Sequence, residues 1–272
     1  RFPRISSGIN MEPFAAPLAA ALPGATMLYA LLFARVGGIL MLLPAFSEDA
    51  VPGRVRLLVA MAITAGLYPL LRPQVASALE AVQTSDIGFA GLVLTEMLLG
   101  IALGLIVRIF FHAIVIAGGI ISLQVGLTSA LVFDPSAGGQ VPVLGKFISI
   151  TALLLCMATG VHHIWIGALV HSYATFPVGG YVPAGDFTRL ALQSASGAMA
   201  LGLSLAAPLL VYGIVFNAAL GLAARLAPAL QIFFIAQPLN LILGIAVTAA
   251  ALAASLDGFV DHMASWSVMV LG

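Results

Sequence analysis

Apolar runs about as long as a lipid bilayer is thick recur through this chain, and they leave few folds open to it. They fall at about 27–46, 55–71, 89–110, 111–133, 141–159, 161–170, 194–224 and 229–256. A spanning helix needs roughly 20 residues. Residues 27–46, 89–107, 141–159, 194–224 and 229–256 meet that length, 55–71 is marginal, and 161–170 is too short alone. Only 7% of the 272 residues are charged, where a soluble domain carries about 25%. Mean hydropathy is +1.16. Helices satisfy their own backbone hydrogen bonds in lipid, and no strand alternation is visible. The sequence therefore predicts an all-α, polytopic membrane protein with five to seven long helices. Ten basic residues balance ten acidic ones, and no Lys/Arg block offers a phosphate-binding arm, so nucleic acid is not an expected partner.

Polar punctuation divides the runs. SEDAVPGRVR (47–56) is a turn, and RPQVASALEAVQTSD (72–86) is a polar stretch, expected to be partly helical at an interface. HSYATFPVGGYVPAGDFTR (171–189) carries two prolines and three glycines and reads as a loop. Pro228 in RLAPAL breaks the last apolar stretch into a hairpin over 194–256. Pro208 and Asn217 predict a kink in its first arm. Residues 1–26 read as a poorly structured N-terminus, with the polar residues 1–10 lying upstream of the fold. FAAPLAAALPGA imitates a secretory signal but is interrupted by proline. Residues 27–256 then form one helical membrane domain, and 257–272 a C-terminal tail. Successive loops show no consistent Lys/Arg excess, so the positive-inside rule assigns no orientation. That pattern suggests that some of these helices do not cross the bilayer in the usual way.

A few charges sit where charge is costly. Arg35, Glu96 and Arg108 each interrupt an apolar run. A central charge costs about 2.5–3.5 kcal/mol on insertion scales and normally finds a partner. With no second acid on the same face, pairing between helices or subunits is a better reading than a proton relay through Glu96. Gly100 and Gly104 form GxxxG, with Gly118 and Gly119 on the following run; such residues allow close helix packing. His162, His163 and His171 lack the spacing and companions of a metal site, so no metal or cofactor is expected. Cys156, the only cysteine, reads as a small core residue. SASG at 194–197 distantly resembles an intramembrane serine protease motif, but its first glycine is missing and only His262 could serve as base. Catalysis is not expected.

The segment LVFDPSAGGQVPVLGKF (131–147) breaks an otherwise apolar stretch. Asp134-Pro135 starts a turn, Gly138-Gly139 allows close backbone approach, and Pro142 opens the next run. Gln140 adds a polar anchor, and Lys146 a charge just inside the second arm. Non-helical backbone within a membrane is tolerated where it is buried in protein or lines a watery cavity. The residues alone leave two readings open, a pore element and an ordinary surface hairpin, and composition favours the hairpin.

Three stretches carry a resemblance. They are FARVGGILMLLPAFSEDAVPGRVRLLVAMAI (33–63), SLQVGLTSALVFDPSAGGQVPVLGKF (122–147) and GVHHIWIGALVHSYATFPVG (160–179). In order, spacing and length the chain resembles the FliR family of flagellar type III export-gate proteins and their injectisome relatives, from Met11 to the end. The resemblance implies a non-enzymatic subunit with a FliP-like part followed by a FliQ-like C-terminal hairpin. It implies a helical assembly with FliP and FliQ around an export channel, at the flagellar basal body in the bacterial inner membrane. FlhB, FlhA, membrane lipid and transient unfolded substrates are the further implied partners. It also implies that the segment before the DP turn is a plug: Gln124, Gly126, Leu127, Thr128, Ser129, Ala130, Leu131, Val132 and Phe133. Phe133 is its only bulky ring, where family plugs carry more aromatics. Closure as a hydrophobic constriction then falls to Leu127, Leu131 and Val132, or to methionines from a neighbouring subunit. The competing expectation is a small secondary transporter, with Glu96 or Arg35 as coupling group; its inverted repeats are not visible.

Overall fold

The computed structural model describes residues 12–48, 51–82, 86–127, 143–226 and 232–271. Among them lie seven helices and no strand: α1 Glu12–Leu42, α2 Gly53–Val82, α3 Asp86–Val125, α4 Val143–Ala158, α5 Val161–Thr175, α6 Ala184–Leu226 and α7 Ile232–Leu271. The all-α expectation holds. Five helices are long and apolar enough to cross a membrane, and α4 with α5, bent by 70° at their junction, would make a sixth span. The bend has a local cause. Gly160 has φ 82, a left-handed conformation that a side chain disfavours, and it separates the two short helices.

Helix α3 is the hub, packing most extensively on α6 and α1. Glycine sets how closely each neighbour approaches. A Cβ on Gly100 would collide with the Arg35 carbonyl, and one on Gly104 would lie 2.7 Å from Ile39 O. The GxxxG pair therefore seats α1. Farther along, a Cβ on Gly202 would lie 2.8 Å from Ala113 O, and one on Gly118 3.0 Å from Gly145 Cα. These pairings run in register: α1 and α6 lie parallel to α3. Helix α7 lies antiparallel, with Phe259 edge-on to Phe111 and Gly244 against Val125 at the end of α3. The buried face of α6 is a stripe, Ser194, Ala198, Leu201, Gly202, Leu205, Ala206, Leu209 and Gly213, spaced as one side of a helix.

Several boundaries differ from expectation. The runs 89–110 and 111–133 form one helix of 40 residues up to Val125, because Arg108 and His112 between them are not helix breakers. The chain is helical from Glu12, not poorly structured to residue 26; the alanine-rich stretch favours helix, and Pro13 falls in the first turn. Residues 257–271 are not a loose tail. They complete α7, with Phe259, Met263 and Ser267 buried and Trp266 stacked on Phe110 at 4.2 Å. The loop expected over 171–189 narrows to 176–183, where Gly179 takes φ 77 and Gly180 N–H donates to Pro177 O at 2.9 Å. Helix α2 continues through Pro69 and Pro73 to Val82, and α6 runs unbroken through Pro208.

Candidate functional site

The segment singled out in the sequence leaves α3 and returns at α4. Thr128 to Phe133, with Asp134, Pro135, Gly138, Gly139, Gln140 and Pro142, lie outside the described residues. Its two feet are described. At the departing foot, α3 ends at Val125; Gly126 takes φ 85 and donates to Leu123 O at 3.1 Å. Leu127 packs half-buried against the core. Gln124 O accepts from Asn240 Nδ2 at 3.2 Å, and Tyr212 Oη donates to Asn240 Oδ1 at 2.8 Å. The end of the Gln124 side chain occupies the space that a Cβ on Gly213 would take. A residue from each of α6 and α7 thus clasps the last turn of α3.

The returning foot is held differently. Gly145 packs on Gly118, and Ser122 Oγ donates to Gly118 O at 2.7 Å, satisfying its hydroxyl within α3. Lys146 Nζ pairs with Glu48 Oε2 at 2.8 Å, and Arg56 Nη2 donates to Glu48 O at 2.6 Å. The turn between α1 and α2 therefore tethers the start of α4. Both partners of the Lys146 pair are partly exposed, so water and salt weaken it. Seven residues of α3 follow Gly118 up to Val125, about 10 Å of helix beyond the contact with α4.

The other costly charges resolve into a pair and a single residue. Arg35 and Glu96 are both fully buried and joined by a two-pronged ion pair, Nε to Oε2 and Nη2 to Oε1, the latter at 2.9 Å. Arg35 also donates to Ser172 O at 2.9 Å and Phe176 O at 2.8 Å, carbonyls at the C-terminal end of α5. Its guanidinium lies over the Tyr173 ring, 4.1 Å from the centroid. One side chain thus ties α1, α3 and α5 together. A cation suits that end of a helix, where carbonyls lack intrahelical partners. The seat of Gly100 on the Arg35 backbone brings α1 close enough for this pairing with Glu96, one turn away on α3. Arg108 joins neither group; it is half-buried and has no ion-pair partner among the described residues, while its carbonyl is bonded to His112 Nδ1 at 2.8 Å.

Glu48, Tyr212 and Asn240 were not singled out by any motif, being ordinary residues in unremarkable local contexts. Among the described residues no three or more His, Cys, Asp or Glu side chains gather where a metal could bind. His262 Nδ1 is bonded to Gly258 O of its own helix at 2.7 Å. Ser196 is exposed on α6, and no hydrogen bond joins it to His262 among the described residues.

Comparison with known proteins agrees with this architecture. The family model for bacterial export proteins, family 1, matches residues 26–266. The flagellar biosynthetic protein FliR of Caulobacter vibrioides is 40% identical over 223 residues, 82% of this chain and 87% of that protein. FliR of Escherichia coli is 38% identical over 232 residues, 85% and 86% of the two chains. FliR of Bacillus subtilis is 29% identical over 217 residues, 78% and 81%. With apolar helices throughout, a family match across most of its length and FliR relatives covered nearly end to end, the chain belongs to family 1 of the bacterial export proteins.

Proposed function

We propose that this chain is a non-enzymatic subunit of a flagellar type III export gate, in which its helices pack on sibling subunits around a conduit for unfolded proteins. The observation that carries this reading is helix length. Helices α3, α6 and α7 have 40, 43 and 40 residues, about 60–65 Å each, twice the roughly 30 Å of bilayer hydrocarbon. They stay apolar nearly throughout, and large side chains such as Met199, Leu203, Val215, Leu222, Ile242 and Met269 remain exposed along α6 and α7. Lipid cannot cover both halves of such helices, so protein must cover the rest. FliP-like and FliQ-like subunits are the partners the family resemblance implies, with FlhB and FlhA beyond them. The relatives' role in flagellar biosynthesis puts the chain in the bacterial inner membrane at the flagellar basal body.

In this reading the segment from Gln124 to Phe133 is the plug that closes the conduit before export. What supports this is that its two feet are braced, one on α6 and α7 and the other on the segment between α1 and α2. A solute carrier would need Arg35 or Glu96 open to solvent as a coupling group, and both are fully buried in a pair within the chain. Deleting the gene in its bacterial host tests the function. Secretion of flagellar proteins and swimming should both stop; a strain that still secretes and swims contradicts the reading.

A further inference from the structure

We infer that the groove between α1 and α2 is a lipid site: it takes an acyl chain of an anionic phospholipid, and Arg72 pairs with that lipid's phosphate. Three observations carry it. First, α2 fits one bilayer. Arg54 and Arg72 are both exposed and lie 18 residues apart, about 27 Å along a helix. Bilayer hydrocarbon is roughly 30 Å thick. Among the described residues neither arginine has an ion-pair partner. Between them Leu57, Leu58, Met61 and Leu70 face outward. Lipid alone can therefore cover α2, with a cation at each headgroup level. Helix α7 is as bare but 40 residues long, so it outruns the bilayer and needs protein.

Second, a groove of about 410 Å³ opens beside Arg72, lined by Ala25, Thr26, Tyr29, Ala65 and Tyr68. Tyr29 Oη donates to Met61 O at 2.8 Å, and the Tyr29 and Tyr68 rings lie 6.4 Å apart, so the two walls are tied together. Ala65, Tyr68 and Arg72 share one face of α2, with Arg72 one turn beyond Tyr68. Tyrosine favours the headgroup level, with its ring toward the chains and its hydroxyl toward water. Third, the backbone at this level needs polar company. Pro69 and Pro73 lie inside α2 and have no N–H, so the carbonyls of Ala65 and Pro69 lose their helical donors. Such groups are costly in hydrocarbon and belong where water and headgroups reach them. The guanidinium of Arg72 then meets a phosphate, which can accept two of its N–H bonds side by side.

The test uses inner membranes of the bacterial host, doped with a photoactivatable phosphatidylglycerol whose diazirine sits midway along one acyl chain. After illumination the full chain is isolated and its labelled peptides are mapped by mass spectrometry. Label should fall on the α1 and α2 peptides that hold Tyr29 and Tyr68. Arg72→Gln should lower it about fivefold, the worth of one basic contact with an anionic membrane surface, and Arg72→Lys should largely restore it. Ala65→Leu adds bulk at an exposed position, fills the groove and should remove most of the label. Arg189→Gln, at an exposed arginine on α6, should leave it unchanged. In a second arm a photoreactive amino acid at Ala25 should capture lipid and no protein. If the label misses both peptides, or the residue at Ala25 captures a sibling subunit, protein covers the groove and the lipid site is refuted. If Arg72→Gln labels like wild type, Arg72 does not hold the headgroup and the proposal fails. If Ala65→Leu labels like wild type, lipid merely surrounds α2 and the groove is not its seat.

Discussion

Replacing Glu96 by leucine strands a guanidinium in a site with no exposed surface. Arg35 would keep its bonds to Ser172 O and Phe176 O and its place over the Tyr173 ring, but would lose both bonds to carboxylate. Breaking a buried pair from one side costs about 3–5 kcal/mol, because the surviving charge is left uncompensated. Arg35→Met should cost at least as much, since it leaves a buried carboxylate. The double variant Arg35→Met/Glu96→Leu removes both charges and with them the cost of burying ions. What then remains unpaired is the Phe176 carbonyl, because Ser172 O still accepts from Phe176 N–H at 2.9 Å. An unsatisfied buried carbonyl costs about 1–3 kcal/mol, and this one is only part-buried, so its cost lies toward the low end. The double variant should therefore be more stable than either single variant, a strong departure from additivity. Thermal unfolding of the detergent-solubilised complex, with the four proteins compared side by side, reads the effect. If Glu96→Leu costs less than about 1 kcal/mol, or the double variant costs the sum of the two singles, the pair is not the buried pin described here.

Three other perturbations probe separate contacts. Gly100→Ala pushes a Cβ into the Arg35 backbone and should cost about 1–3 kcal/mol in thermal unfolding, whereas Gly119→Ala, with open space around it, should be neutral or slightly stabilising. Phe259→Ala removes a fully buried ring set edge-on to Phe111 and should cost about 3–5 kcal/mol; an unchanged melting temperature would mean that residues beyond 256 are a tail after all. Lys146→Ala breaks a partly exposed pair with Glu48 and should cost about 1 kcal/mol or less, an effect that fades as salt is raised.

What the sequence made legible was what composition and spacing encode. The apolar runs identified an all-helical membrane protein, and GxxxG at Gly100 and Gly104 marked the seat of α1. Arg35 and Glu96 stood out because a charge in an apolar run needs a partner, but 61 positions separate them, and only the crossing of α1 over α3 makes them one pair. Helix ends were less legible. Residues 257–271 carry Asp257, Asp261 and His262 on an exposed side, and these polar letters hide the buried face made by Phe259, Met263 and Ser267. Asn240 and Tyr212 were invisible for a different reason. Each is an ordinary polar residue on an apolar helix; Asn240 finds Gln124 116 positions away, and Tyr212 finds Asn240 28 positions away on the next helix.

The central claim is that these over-long apolar helices are covered by other subunits as well as by lipid. Native mass spectrometry of the chain, purified after co-expression with the FliP-like and FliQ-like proteins of the same bacterium, tests it most directly. The account predicts that the chain emerges within a defined multi-subunit complex and is unstable or aggregated when expressed alone. A chain that purifies alone as a stable, monodisperse monomer, with the other two proteins absent from its spectrum, would contradict it.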